Sequence, residues 1–419
     1  MRPRPTDSPS RRGKSSAVPA LLLLALVLRM AAAFAYGVHQ NWPASDTFGD
    51  TGEYREIAQR LDRMGDMSLI RDGRVYHASR PPLYPLFLAG LLRAFPGDET
   101  RTAVILQSLM GALTCYLVYR IAADRFGERA GLIAFFLCAV YPFFIFYTGL
   151  FLTETLFVLL YVALNFLLGK TSGRCKPVWA ALAGAAMGLG ALTRSELLAF
   201  PFVALPLWVL TGPYGARLRS ALLAACVMGA VIAPWAVRNA GVFDGRIVVG
   251  TTRLGHDLYE ANNPRADGGI MSERIDWKKV TGLAGADLAD RDYEIKSDRI
   301  LREKALNWIS GNPGRFVALI PQKQWRMWRP VSGFHEFQKW HFVVIGIIPY
   351  VPIMLLGFYG AWILRGRNTL LPLLIPVMYV ALVHCVFLGS MRYRLAAMPF
   401  LIILAAVALD RIADAAARR

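Results

Sequence analysis

FVVIGIIPYVPIMLLGFYGAWIL, residues 342–364, contains no Asp, Glu, Lys or Arg. A helix needs about 20 apolar residues to cross the hydrocarbon core of a bilayer, and this stretch supplies them. Two more apolar blocks follow, at 370–388 and 395–409. Seven precede it, at 17–37, 102–122, 130–147, 150–168, 178–192, 197–211 and 221–237. The pattern predicts an all-α polytopic membrane protein with about ten transmembrane helices. The whole chain agrees: 55% of its 419 residues are hydrophobic and its mean hydropathy is +0.39. A soluble domain of that composition would have to expose much of its apolar surface to water.

The net charge of +18 would suggest nucleic acid in a soluble protein. Here the basic residues fall in short loops, where they set orientation. With the tail carrying Arg2, Arg4, Arg11, Arg12 and Lys14 placed inside, alternation puts further basic clusters inside as well. These are Arg120, Arg125 and Arg129; Lys170, Arg174 and Lys176; Arg217 and Arg219; Arg365 and Arg367; and Arg411, Arg418 and Arg419. Short outside links carry only Arg194, Arg392 and Arg394. Both termini are therefore expected in the cytoplasm, with nucleic acid no partner and membrane lipids a natural one. Residues 1–16 read as a disordered basic tail. A cleaved signal peptide is the alternative for residues 17–37, although their length suits a retained span. The five cysteines are scattered, without metal or disulfide spacing.

Two long polar segments fall outside, dividing the chain into a core at 17–237 with a loop at 38–101, a small subdomain at 238–341 and C-terminal helices at 342–419. In the loop, Tyr54, Ile57, Ala58, Leu61 and Met64 recur at helical spacing, which predicts an amphipathic surface helix. Residues 83–95 are apolar but short for a span, so they read as interfacial or re-entrant. Helix is also expected over about 287–309.

The conspicuous polar groups collect on this outer face: Asp50, Glu53, Glu154, Arg194, Glu196, Arg238, Asn239, Arg392 and Arg394. Each has an ordinary explanation. Asp50-Thr51-Gly52-Glu53 fits a capping box. Glu154 suits a helix N-terminus. Arg194 and Glu196 make a local ion pair, while Arg392 and Arg394 anchor a helix at the headgroups. Asp290-Arg291-Asp292 has DxD spacing, a weak metal signal that a solvated helix face explains better. Together the groups fit one task. A carboxylate takes a proton from an attacking hydroxyl while arginines hold a phosphate leaving group. No phosphate-binding glycine loop, zinc motif or nucleophile elbow occurs.

Several motifs resemble the GT-C superfamily of membrane glycosyltransferases, in particular its bacterial branch related to protein O-mannosyltransferases and lipid A aminoarabinose transferases. The matching stretches are Gly49-Asp50-Thr51-Gly52-Glu53-Tyr54, Arg80-Pro81-Pro82-Leu83-Tyr84-Pro85, Leu152-Thr153-Glu154-Thr155, Leu192-Thr193-Arg194, Pro234-Trp235-Ala236-Val237-Arg238-Asn239, Asn262-Asn263-Pro264 and Arg392-Tyr393-Arg394-Leu395. The resemblance implies a polyprenyl-phosphate-linked sugar donor, a lipid, glycan or protein acceptor, and inversion at the anomeric carbon in a bacterial inner membrane. It implies Asp50 as the catalytic base, with Glu53 and Glu154 as further catalytic or acceptor-binding groups. Arg194, Arg238, Arg392 and Arg394 would bind the donor phosphate. Tyr54, Arg80, Tyr84, Asn262 and Asn263 would line the pocket. The resemblance names no certain cofactor; it allows a divalent metal, which nothing in the sequence indicates. The competing readings are a transporter or flippase for a lipid-linked or phosphorylated solute, against which no paired repeat is seen, and a noncatalytic scaffold in which Asp50 only caps a helix.

Overall fold

The computed structural model describes residues 17–36, 49–171, 177–270, 274–283, 289–331 and 338–418. The expected disordered tail at 1–16 and the basic residues Arg174 and Lys176 lie outside them. The chain begins with α1 (Ala17–Tyr36) and α2 (Gly49–Met64). A hairpin follows, with β1 (Leu69–Arg71) antiparallel to β2 (Arg74–Tyr76) and Ile70 opposite Val75. Its two turn residues, Asp72 and Gly73, both have positive φ, as a two-residue Asp-Gly hairpin requires. Next come α3 (Leu83–Ala94), α4 (Glu99–Phe126), α5 (Glu128–Val140), α6 (Pro142–Thr148), α7 (Glu154–Lys170) and α8 (Pro177–Thr193). After α9 (Phe200–Leu210) and α10 (Tyr214–Val242), the second polar segment holds α11 (Leu254–Ala261), α12 (Trp277–Thr281), α13 (Asp290–Gly311) and α14 (Pro313–Trp328). The chain ends with α15 (Trp340–Ile363), α16 (Leu371–Val386) and α17 (Met398–Ala417).

All ten apolar blocks are helical. By length and composition, α1, α4, α10 and α15 can each cross a membrane, and the bent pair α5 and α6 makes a fifth. The single span expected at 130–147 is thus two helices meeting at 53°. Pro142 accounts for the break: it cannot donate to the preceding turn, and it restarts the helix from its first position. The other apolar helices are shorter or interrupted. The block at 197–211 opens as a 3-10 turn over Ser195–Ala199, and the last block opens as another over Tyr393–Ala396.

Small residues let these helices approach closely. Gly184 and Gly188, four apart on α8, lie against α10; a Cβ on Gly184 would come within 2.3 Å of the Ala224 carbonyl oxygen. Gly357 and Gly360 do the same for α15 against α17. Residues Met398 to Ala408 of α17 are all buried, which makes it the central helix of the bundle. Arg129 at the start of α5 ties the far end of α17 through Asp410 and Asp414.

The second polar segment grips the first. Glu294 of α13 is buried and accepts from the backbone N–H of His77 (2.7 Å) and Ala78 (3.0 Å) and from the Thr252 hydroxyl. Asp290 accepts from the N–H of Val75 at 3.1 Å, while Asp292 pairs with Arg246 at 2.7 Å. The DxD carboxylates therefore anchor the hairpin and a neighbouring loop. Breaks between helices, before α7, after α8 and before α17, deliver charged residues to the place where the first segment is held.

Candidate active site

Four carboxylates and three arginines join in one chain of ion pairs. It starts on α2, where Glu53 meets Arg80 Nε at 2.5 Å. Arg80 Nη2 also reaches Asp50 Oδ1 at 2.5 Å. The other oxygen of Asp50 accepts from Arg392 Nη1 at 2.7 Å. Arg392 Nε then donates to Glu154 Oε1 at 2.6 Å. Arg194 Nη1 shares that same oxygen at 3.3 Å and sends its Nε to Glu196 Oε1 at 3.0 Å. Residues separated by as many as 342 positions meet here. Arg71, at the outer end, adds a second cation to Glu53 at 2.8 Å.

Both oxygens of Asp50 thus face guanidinium groups, and Asp50 lies within α2 rather than preceding it. Burial alone would raise its pKa. The charges of Arg80, then Arg392 and Arg253, outweigh that and hold the carboxyl far below the ordinary carboxylate range. Arg80 is held ionised in turn: burial opposes its charge, and Asp50 and Glu53 restore it. Arg80 also lies over the Tyr54 ring, 5.6 Å from its centroid, and Tyr54 packs edge-on against buried Tyr84. The Tyr84 hydroxyl donates to Gln107, whose amide donates to the carbonyls of Thr148 and Leu150. This chain of contacts fixes the floor under Arg80 to the loop preceding Glu154.

Glu154 is almost fully buried at the first position of α7, and its Oε2 has no hydrogen-bond partner. Two cavities meet at it. One of about 180 Å³ is lined by Glu154, Arg194, Glu196, Arg392 and Tyr393. The other, about 310 Å³, runs past Thr148 and Thr114 to Arg29. Arg29 is a buried cation of α1 that sequence reading did not single out; it donates to the carbonyls of Ala25, Ala139 and Cys138. Its position in mid-span was the available signal.

Other expected site residues are placed differently. Arg238 donates to the carbonyls of His77 (2.7 Å) and Met67 (2.9 Å), so it braces the first segment. Arg394, two residues beyond Arg392, turns inward: it is fully buried, donates to the carbonyls of Met327 and Arg329, and lies 3.9 Å from the Tyr350 ring centroid. Arg238 thus gives its donors mainly to backbone carbonyls, whereas Arg394 gives only Nη1 to them and keeps Nε and Nη2 buried without a hydrogen-bond partner. Asn262 and Asn263 are buried as well. Asn262 donates to the carbonyls of Leu258 and Val386 and accepts from Lys323, while Asn263 shapes its own turn. They secure α11 to α14 and α16 rather than line either cavity. Arg80, expected only to line the pocket, is a direct partner of Asp50.

Among the described residues, one grouping has the donor types of a metal site. His256, Asp257 and Glu260 of α11 bring a ring nitrogen and two carboxylates within 4.8 Å of one another. Asp257 also accepts from Arg253 at 3.1 Å, and the His256 ring stacks on Trp277.

With this geometry established, three comparisons bear on it. The family model described as dolichyl-phosphate-mannose-protein mannosyltransferase matches residues 79–237. No curated protein matches the chain. Among solved structures, the Archaeoglobus fulgidus oligosaccharyltransferase AglB, in complex with an inhibitory peptide and a dolichol-phosphate, is similar with a TM-score of 0.62 at 15% identity, over 96% of this chain and 51% of that one. The apo form of the same oligosaccharyltransferase gives 0.62 at 14% identity, with the same coverage. ArnT from Cupriavidus metallidurans bound to undecaprenyl phosphate gives 0.44 at 16% identity, over 96% of this chain and 79% of that one. The chain spans about half the length of the oligosaccharyltransferase it matches. The sequence match is confined to residues 79–237, and the likeness to the oligosaccharyltransferase is one of fold.

Proposed function

We propose that the chain transfers a single sugar from a polyprenyl-phosphate donor to a hydroxyl of a lipid, glycan or protein acceptor. The reaction takes place at the extracytoplasmic face of the inner membrane, with inversion, and Asp50 is the general base. The observation that carries this reading is the pairing of Asp50 with Arg80 and Arg392 at the edge of a cavity lined by Arg194 and Arg392. A lipid-phosphate donor is supported by the likeness to an oligosaccharyltransferase solved with a dolichol-phosphate.

The chemistry is a displacement. The acceptor oxygen forms a bond to the anomeric carbon, and the bond from that carbon to the phosphate oxygen breaks. Its electron pair leaves with the polyprenyl phosphate, and the acceptor proton passes to Asp50. Arginines stabilise the charge that develops on the leaving phosphate. The free site poses a difficulty for this scheme: a carboxylate held so far below its ordinary pKa is ionised but only weakly basic. The donor phosphate resolves it. When it takes guanidinium contacts from Arg392 and Arg194, Asp50 loses a counter-charge and becomes a stronger base. The base is thus activated by the arrival of the donor. Glu154, with one oxygen free of partners, is placed to accept a hydroxyl of the sugar or acceptor.

The test is reconstitution in liposomes with a panel of radiolabelled polyprenyl-phosphate sugars and extracted envelope acceptors, comparing wild type with Asp50→Asn. Transfer by wild type, lost in Asp50→Asn at an unchanged melting midpoint, is expected. Equal transfer by both removes Asp50 as the base. Movement of labelled lipid between leaflets without transfer points to a transporter instead.

A further inference from the structure

The ion-pair chain does not stop at Glu196. The second oxygen of Glu196 lies 3.4 Å from Nε2 of His384, a buried residue near the end of α16. The other ring nitrogen, Nδ1, lies 2.7 Å from the carbonyl oxygen of Leu388. A neutral imidazole has one donor nitrogen and one acceptor nitrogen. The Leu388 carbonyl can only accept, so Nδ1 carries a proton. A neutral ring would then turn its Nε2 lone pair toward the Glu196 carboxylate, which also can only accept. With Glu196 ionised beside Arg194, an imidazolium satisfies both contacts.

The remaining surroundings fit a cation. His384 stacks on Tyr393 with ring centroids 4.2 Å apart and planes 11° from parallel. The Arg194 guanidinium also lies 5.0 Å from the Tyr393 ring centroid. From its own helix, the Tyr379 hydroxyl donates to the Glu196 backbone carbonyl and pins the same residue. From α14, Lys323 donates to the carbonyls of Cys385 and Val386, fixing the helix end one turn from Leu388. Glu196 is therefore the only carboxylate in contact with the ring among the described residues. Along the chain the charges alternate from Glu53 through Arg80, Asp50, Arg392, Glu154, Arg194 and Glu196, and a cationic His384 completes the alternation. His384 itself lines neither cavity; Glu196, Arg194 and Tyr393 do.

We propose that His384 is a positioning residue of the transfer site: as an imidazolium it orients the Glu196 carboxylate, which holds Arg194 in reach of Glu154 and of the donor phosphate. The role in transfer rests on the function proposed above, whereas the protonation state does not. Without its second cation, Glu196 is free to rotate and draw Arg194 away from Glu154, so the cavity loses one of its two phosphate-facing guanidiniums.

Two measurements test this. The chain has six histidines, so ¹⁵N-histidine labelling in lipid vesicles gives a readable imidazole spectrum. The His384 signals, assigned by their loss in His384→Gln, are expected to show two protonated nitrogens in wild type and a neutral ring in Glu196→Gln. A neutral His384 in wild type at the pH of transfer overturns the proposal. Should His384→Gln fail to fold, Glu196→Gln keeps the ring and still identifies the signal by its change.

The second measurement is kcat/KM for transfer in His384→Gln, Glu196→Gln and the double variant. Each single change is expected to cost roughly ten- to a hundredfold, the range for losing a hydrogen bond to a charged group, with the double variant no worse than Glu196→Gln. Losses that multiply in the double variant show that His384 acts independently of Glu196, which also overturns it. If wild type transfers no sugar, the proposed function fails while the nitrogen spectra still decide the state of His384.

Discussion

Arg392 and Arg394 stand two residues apart at one helix break, and they do opposite things. Arg392 meets the carboxylates of Asp50 and Glu154 beside a cavity. Arg394 meets the backbone carbonyls of Met327 and Arg329 and the face of Tyr350. Arg238 and Lys323 follow Arg394 in giving their donors to carbonyls. The difference lies in what a ligand can replace. A phosphate can take over a guanidinium from a carboxylate, because both are anions with matching bidentate geometry. It cannot displace a buried carbonyl without leaving that oxygen unsatisfied. Under the proposed function, arginines paired with carboxylates form the responsive part of the site, and arginines paired with carbonyls form its frame.

The sharpest way to break this contrast is to remove each guanidinium in turn. Arg392→Gln is expected to lower the kcat of the proposed transfer by roughly 10²–10³-fold, as for the loss of one preorganised donor to developing charge. Arg394→Met should leave kcat and the KM for donor within about threefold while lowering the melting midpoint, because two buried carbonyls lose their donor. Steady-state kinetics and a thermal melt on both variants read the result. A loss of transfer in Arg394→Met at unchanged stability would place it among the phosphate ligands after all.

The pH dependence sharpens the same point. A carboxylate whose pKa is depressed stays in its ionised, working form until the pH falls through that lowered value. In the free protein Arg80 and Arg392 depress Asp50, so as the proposed base it would give kcat/KM an acid limb below the ordinary carboxylate range. In the proposed reaction the bound phosphate takes guanidinium contacts, so the depression lessens and the limb moves up. The acid limb of kcat, which reports the complex, is therefore expected at higher pH than that of kcat/KM, which reports the free enzyme. Initial rates across pH at low and saturating donor give both limbs. Coincident limbs would mean that the donor leaves the Asp50 pairs intact.

Sequence reading reached the responsive part better than the frame, for a physical reason. A charge at the end of an apolar block must be paired or solvated, so Asp50, Glu154, Arg194 and Arg392 stood out against their surroundings. The same rule marked Arg238 and Arg394 equally, because it registers that a charge needs a partner but not which partner it has. Asn262 failed in the same way: a polar turn after a span looks alike whether it lines a cavity or, as here, accepts from Lys323. His384 was hidden by its neighbours, since a lone polar residue inside an apolar run is ordinary without knowledge of Glu196. The ten helical blocks were legible from hydropathy, yet the bend at Pro142 depends on local geometry that an average over a window removes.

The smallest expected effect tests the frame at its edge. Arg238 holds Met67 and His77, on either side of the hairpin, and it shares that duty with Glu294, which grips His77 and Ala78 from α13. Because the grip is doubled, Arg238→Gln should cost only about 1–3 kcal/mol of stability, the range for hydrogen bonds to a charged donor. The proposed transfer should fall by no more than about threefold, because Arg80 reaches Asp50 from beyond the braced residues and keeps both of its carboxylate partners. A melt shifted down by a few degrees with a nearly unchanged KM for the donor is the expected pair of results. A rise in that KM comparable to the Arg392→Gln effect would show that Arg238 meets the phosphate directly, and that the division between carbonyl-bound and carboxylate-bound arginines does not predict function in this fold.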